Sequence, residues 1–232
     1  NLALEAIQLM DNGEIDKSLD LLNESCKLDP ENYLYPYEIG YAYYLKKDFE
    51  ESLKYYQKVI KMDGINSQCW QMLGNVYDMN GNPQKAIETY LKGLEAFPNA
   101  GNLYLELGNM HQNDWLKALE FYEKGIEIDP AYPSNYYWAA KIFCNSKQEM
   151  WGLFYGEIFM NIERGSARTE EISKLLYDTY KSEIQITSDS SVSVSLCEAI
   201  IIVDQHEDKM PYCLVYEPLI MLSLSLSDSV VN

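Results

Sequence analysis

Histidine is nearly missing from this chain. Two occur in 232 residues, His111 and His206. That scarcity removes most routes to a histidine general base or a clustered metal site. Cysteine appears five times, as Cys26, Cys69, Cys144, Cys197 and Cys213, but never as a close pair. The odd number and wide spacing exclude a zinc-type CxxC arrangement and fit free thiols in a reducing compartment. Positive charge is also short. Eighteen Lys and Arg stand against 36 Asp and Glu, giving a formal net charge of −18. Such a chain repels phosphate backbones and anionic lipid, so nucleic acid is not an expected partner. The acid either keeps the protein soluble or favours a neutral to basic partner. No apolar run reaches membrane-spanning length, so no membrane insertion is expected. The default compartment is the cytoplasm, although a first residue of Asn rather than Met leaves a cleaved leader open.

Motifs for chemistry are missing too. The chain has no phosphate-cradling glycine loop, no GxSxG elbow and no HExxH pair. No catalytic residue, metal or cofactor is therefore expected, and the chain reads as a non-enzyme. Asp204, His206 and Asp208 are either metal ligands or an exposed charged loop. The pairs Glu50–Glu51 and Glu170–Glu171 fit helix starts, where carboxylates meet the positive helix end.

What is abundant is tyrosine, with twenty against six phenylalanines. Tyrosine fills space yet keeps a polar tip, which suits half-buried faces. It also recurs with a period. Gly40, Gly74 and Gly108 are 34 residues apart, as are Ile39, Leu73 and Leu107, and Tyr43, Tyr77 and His111. Ser18, Ser52 and Ala86 keep the same step, and Pro30 and Pro98 lie two steps apart. A period of this length marks stacked helical hairpins.

Trp70, Leu73, Gly74, Tyr77, Ala86, Tyr90 and Pro98 stand in the W-x2-L-G-x2-Y…A-x3-F…P pattern. In these residues the chain resembles the tetratricopeptide repeat (TPR) family over positions 1 to about 165. The resemblance implies an all-α fold: an α-solenoid of helical hairpins forming a right-handed superhelix. Residues 1–165 are expected to form about five repeats, the fifth degenerate. Residues 166–232 are expected to add a C-terminal helix and a small strand-containing cap. Hairpins of helices A and B are expected at 1–12 with 15–28, 35–46 with 49–62, 67–80 with 83–96, 101–111 with 114–128, and 133–145 with 148–163. The glycines should let helix B approach closely, and Gly13 and Gly81 should make left-handed A–B turns.

Several places depart from the pattern. Pro36 takes the tryptophan slot of repeat two and should begin that helix. Repeat four is two residues short between Gly108 and Ala118, so either its turn at 112–114 is tight or residues are missing there. In repeat five, Gly152 and Gly156 mark either a close helix crossing or a terminal hairpin adapted to pack on the segment after it. From Ser166 the register is lost. A helix is expected at 169–184, capped by Thr169, with Ile172, Leu175 and Leu176 turned inward. Val192 to Val203 reads as a strand, 211–216 as a second, with a short helix opening at Pro218.

In the family the A helices line a concave groove that holds a peptide. The resemblance places Leu34, Tyr37, Glu38, Tyr41, Tyr44 and Leu45 there from repeat two. Repeat three gives Gln71, Met72, Asn75, Asp78 and Met79. Repeat four gives Asn102, Leu105, Glu106, Asn109 and Gln112, and repeat five gives Tyr137, Trp138, Lys141 and Cys144. Asn75 and Asn109 either form an amide ladder for a peptide backbone or simply follow the family consensus. Tyr37, Tyr41 and Tyr44, with Tyr137 and Trp138, are aromatic anchors or inter-helix packing; Met72 and Met79 lie between them. The basic slots of chaperone-tail clamps hold Tyr37, Tyr41, Met72 and Glu106, so an acidic tail is disfavoured. The expected function is a non-enzymatic scaffold for a protein or peptide. The alternatives are self-assembly into a homo-oligomer, and a ligand or catalytic domain in the tail.

Overall fold

The computed structural model of the protein describes residues 2–188 and 191–195. Within them the backbone forms eleven α-helices and one short two-stranded ribbon. Two units can be separated, Asn1–Asp129 and Pro130–Asn232.

The first unit holds four hairpins: α1 (Leu2–Asp11) with α2 (Ile15–Leu28), α3 (Leu34–Leu45) with α4 (Phe49–Val59), α5 (Ser67–Met79) with α6 (Pro83–Ala96), and α7 (Gly101–Asn109) with α8 (Trp115–Ile128). Consecutive helices pack on one another, and each A helix also meets the next where α1 touches α3 and α5 touches α7. The core inside each hairpin is set by one pair of facing positions. Gly40, Gly74 and Gly108 on the A helices are covered by the rings of Tyr56, Tyr90 and Tyr122 on the B helices. A Cβ on Gly74 would lie 2.1 Å from the Tyr90 ring, and one on Gly108 2.2 Å from Tyr122. These tyrosines are buried almost completely. In the first hairpin the corresponding pair is Ala6 and Leu22, both wholly buried. Where the A helix already carries a methyl group, the facing side chain is the narrower leucine, because a close-packed interior has room for only one of the two volumes.

The A–B turns follow the period as well. Gly13 and Gly81 turn at φ of +79° and +75°, as expected, and Lys47 takes the equivalent place at +60°. A side chain is disfavoured in that conformation. Repeat four solves its two-residue deficit differently. Helix α7 ends at Asn109, and the His111 and Asp114 amides close a tight turn on Gly108 and His111 carbonyls. The Asp114 side chain then caps α8 by accepting from the Lys117 amide at 3.3 Å. No left-handed residue is needed there. Pro36 does not begin α3, which starts at Leu34; the proline sits in the first turn, where its missing N–H costs little.

The second unit contains α9 (Pro133–Cys144), α10 (Glu149–Ile162) and α11 (Ala167–Glu183). Here the small residue changes helix. Ala140 stands in the glycine slot and Gly156 in the tyrosine slot, and Gly156 is covered by Leu176 and Ile172 of α11. Gly152 lies so close to the end of α9 that a Cβ would meet the Cys144 backbone nitrogen at 2.5 Å. Both readings of these glycines therefore hold at once: a close crossing and an adaptation to the next helix.

The loss of register expected at Ser166 needs correction. Helix α11 starts 34 residues after α9, and packs on both α9 and α10 as a further A helix would. Ser166, not Thr169, caps it, accepting from the Thr169 amide at 3.1 Å. Thr169 instead donates to the Glu163 carbonyl. The unit boundary at 129/130 accordingly differs from the expected one at 165/166, since α11 belongs with α9 and α10. Strands are few: Ile184–Ser188 pairs antiparallel with Ser191–Val194. A ribbon of this size is not a subdomain by itself. The remaining expectations for the tail, including the strand at 211–216, the helix from Pro218, Cys197, Cys213 and the group around His206, lie outside the described residues.

Two stability measurements test this packing. Gly74→Ala should cost about 1–3 kcal/mol, because the Tyr90 ring is locked in the hairpin. Gly40→Ala should cost clearly less, its Cβ meeting Tyr56 at 3.1 Å. Denaturant titration of both variants checks the order. Lys47→Gly should stabilise, by up to about 1 kcal/mol, by relieving the left-handed turn; a fall in midpoint would contradict the assigned strain.

Candidate functional site

The A helices α3, α5 and α7 carry most of the residues assigned to the groove. On α5 and α7 they form a connected polar seam. Ser67 donates to Asn102 Oδ1 at 2.9 Å, Asn102 Nδ2 to Gln71 Oε1 at 2.8 Å, and Gln71 Nε2 to Glu106 Oε1 at 2.7 Å. Asn109 Nδ2 donates to the other Glu106 oxygen at 3.1 Å. Ser67, Gln71, Asn102 and Glu106 bridge the two helices, and Asn109 bonds Glu106 within α7. Asn102 is buried in the process, and Leu105 beside it is buried too.

The two asparagines spaced by the repeat have a defined task. Tyr90 donates its hydroxyl proton to Asn75 Oδ1 at 2.7 Å, and Tyr122 donates to Asn109 Oδ1 at 3.0 Å. In each case the asparagine directly follows the glycine on which the ring lies. The bond therefore satisfies a buried phenol and fixes the amide's direction. As a backbone ladder for a peptide the pair is half used already. Asn75 keeps its amide nitrogen; Asn109 has given one donor to Glu106. In the second hairpin Tyr41 replaces the asparagine. The Tyr56 hydroxyl is buried there with no hydrogen-bond partner.

Aromatic side chains cover α3. Tyr37 meets Tyr56 edge-on at 5.4 Å, Tyr41 stacks on Tyr44 at 6.2 Å, and Tyr44 leans on Phe49. Tyr37, Tyr41, Tyr44 and Met72 are half-buried, and Met79 is exposed. Burial and then the Asp11 carboxylate push the Glu38 carboxyl above its ordinary value.

The stacked hairpins have counterparts in known proteins. The tetratricopeptide repeat family model matches residues 4–64 and 72–133, and a second one matches 55–88. The chain belongs to the tetratricopeptide repeat family. It is 30% identical over 127 residues to the photosystem I assembly protein Ycf3 of Prochlorococcus marinus, covering 47% of this chain and 71% of that protein. It is 27% identical over 119 residues to anaphase-promoting complex subunit 3 of Schizosaccharomyces pombe, covering 50% of this chain but 18% of the relative. Among solved structures, a thermophilic TPR protein of Thermus thermophilus shares 13% identity at a TM-score of 0.59, covering 76% of this chain and 98% of that one. That likeness concerns the fold. Proteins built from tetratricopeptide repeats are scaffolds for protein–protein interaction. No helix among the described residues is long and apolar enough to cross a membrane.

In the second unit the repeat-five candidates are drawn inward. Tyr137 is buried and donates to Glu171 Oε2 at 2.6 Å, while Lys141 donates to Glu171 Oε1 at 2.7 Å. Lys141 also lies over the rings of Tyr137 and Trp138, at 4.9 and 5.0 Å. Arg168 lies over Tyr137 from the other side and pairs with Glu163. Bonds from Lys141 and Tyr137 hold the Glu171 carboxyl below its ordinary value. Helix α11 thus bonds Tyr137 and Lys141 of α9 much as α7 bonds Gln71 of α5. Burial pushes the Cys144 thiol up to about 11, which leaves it unreactive at neutral pH. His111 stacks on Phe121 at 5.4 Å, a packing role. Among the described residues no group of three metal-binding side chains exists.

Spacing alone did not disclose the tyrosine–asparagine bond, although its signal is in the chain: an asparagine directly after the glycine, and a tyrosine 16 or 14 residues beyond that glycine. The bond yields a contrast. Tyr90→Phe should destabilise by about 1–2 kcal/mol, because Asn75 loses a bond in a mostly buried setting. Tyr56→Phe should be neutral or stabilising, because its hydroxyl has nothing to lose. Equal losses in thermal unfolding would show that the Tyr56 hydroxyl is bonded after all.

Proposed function

We propose that the A-helix face of the first unit binds an extended, neutral to basic segment of a partner protein, without catalysing a reaction on it. One observation carries this reading. Leu45 and Met79, equivalent in the repeat at the ends of α3 and α5, are 39% and 54% exposed, Leu34 at the start of α3 is 44% exposed, and Tyr41 stacks on Tyr44 between them along α3. Large apolar side chains gathered on a face with fixed polar neighbours suit a contact surface. The polar side chains of α5 and α7 are already hydrogen-bonded to one another, which lowers the ordering cost of binding. The relatives support the class of function, since their names place them in multi-protein assemblies or in assembling one. Asn75 and Asn109 contribute through orientation; Tyr37, Tyr44 and Met72 form the half-buried floor. Tyr137 and Trp138 are not assigned to this surface, because they belong to the second unit, where Tyr137 is bonded to Glu171.

A second reading is self-association through the first hairpin, where Leu4 and Leu28 are 59% and 71% exposed.

The test is affinity capture with the whole chain and with Tyr41→Ala, Leu45→Ser and Met79→Ser combined. The triple variant should retain native helicity and lose the captured proteins. A second variant, Trp115→Ser with Leu116→Ser on exposed α8 positions, should keep them. Capture that survives the first variant and fails in the second would move the binding site off the A helices. A strict monomer by light scattering at high concentration would remove the self-association reading.

A further inference from the structure

Acids outnumber bases 36 to 18 over the whole chain, yet residues 52–62 hold Lys54, Lys58 and Lys61 and no acid at all. The stretch begins on α4, a B helix, and runs just past its end. Steps of four and then three residues put the three lysines on one face. The chain keeps its curl beyond the helix: the Lys61 amide donates to the Lys58 carbonyl at 3.1 Å, and the Met62 amide to the Val59 carbonyl at 2.9 Å. The three positions span roughly 10 Å along the axis. Together with Gln57 and Met62 they line a cleft of about 410 Å³. Gln57 is fixed by donating to the Tyr77 hydroxyl of α5 at 2.8 Å, and half-buried Met62 gives the cleft an apolar wall.

The charges around this cleft are poorly met. Lys54 pairs with Glu51, but Lys58 and Lys61 make no ion pair among the described residues. A cation at the negative end of a helix is favourable, which accounts for Lys58 in the last turn of α4. It does not account for three like charges around one concavity, which repel one another until an anion arrives.

We propose that the α4 cleft is a second docking site, which takes a short acidic segment of a partner protein: two or more Asp or Glu side chains on the lysines, beside an apolar residue that meets Met62. Charge complementarity selects this class. The chain as a whole carries −18, so a patch of three lysines attracts anions only close to itself. Beyond about 10 Å at ordinary salt the patch is screened, and a longer polyanion runs onto acidic surface. A few carboxylates fit within that limit, whereas a nucleic-acid backbone, with its regular row of phosphates, does not. None of the residues lining the cleft belongs to the A-helix binding face, so the two sites are separate and differ in the charge they select.

The probe is the peptide acetyl-Glu-Leu-Glu-Glu amide, with acetyl-Gln-Leu-Gln-Gln amide as its uncharged counterpart. Each is titrated into the full chain and followed by backbone amide NMR shifts. Saturating shifts confined to residues 54–62 and Tyr77 are expected, weakening as salt is added, with the glutamine peptide about tenfold weaker or undetectable. Lys58→Gln combined with Lys61→Gln should weaken the saturation by about tenfold, while Lys92→Gln on exposed α6 leaves it unchanged. The double variant removes no ion pair of the fold, so its thermal unfolding should match the parent. The site is overturned by an equal response to the glutamine peptide, by shifts spread over the whole chain, or by unchanged saturation in the double variant. An oligothymidylate that binds the same residues more tightly than the peptide overturns the choice of partner in favour of nucleic acid. Self-association that the peptide dissociates overturns it in favour of a second copy. The groove variant leaves the α4 lysines untouched, so failure here does not decide the capture test on the A helices.

Discussion

The hairpins depend on one steric rule: across each A–B pair there is room for either a β-carbon or a phenol ring, not both. Gly40, Gly74 and Gly108 lie under Tyr56, Tyr90 and Tyr122, and Ala6 lies under Leu22. The rule fixes the distance between the two helices, and that distance decides which residues of helix A are left outside. Because the ring reaches across the hairpin, its hydroxyl emerges on the A-helix side. There it needs an acceptor, which Asn75 and Asn109 provide. Packing and site geometry are thus one arrangement. The amides on the candidate binding face are aimed by the same residues that hold the hairpins closed.

Much of this was legible in the sequence. The 34-residue step located all ten hairpin helices to within a few residues, because glycine, tyrosine and proline each have strong steric reasons for their places. The register also grouped Gln71, Asn102, Glu106 and Asn109, which the structure joins in one hydrogen-bonded seam. It could not say which groups on that face were already engaged. Asn102, Gln71 and Glu106 bond across two helices 31 to 35 residues apart, and such bonds depend on rotamers, not on spacing.

The helix expected at 169–184 is α11, but its place in the repeat register escaped for a related reason. The helix lacks the glycine mark, Lys174 standing in that slot, since the small residue has moved to Gly156 on the preceding helix. Beside the apolar cover that Ile172 and Leu176 give Gly156, its contacts with α9 are polar. Arg168 reaches Ser134 and Glu171 reaches Tyr137, each 34 residues away. The period survives in position after it has faded from composition. Of the two readings open for Tyr137, anchor or inter-helix packing, the bond to Glu171 of α11 fits the packing one.

The small-for-large exchange has a consequence for how such arrays can be rearranged. Each complementary pair lies within one hairpin, so whole hairpins can be duplicated, shuffled or grafted with their core intact. A crossover placed inside a hairpin, at the A–B turn, joins the wrong halves. Helix α1 joined to α4 would force the Ala6 methyl into the Tyr56 ring, and α3 joined to α2 would leave Gly40 facing an unfilled space beside Leu22. Genetic exchange is tolerated at the loops between hairpins and punished at the turns inside them.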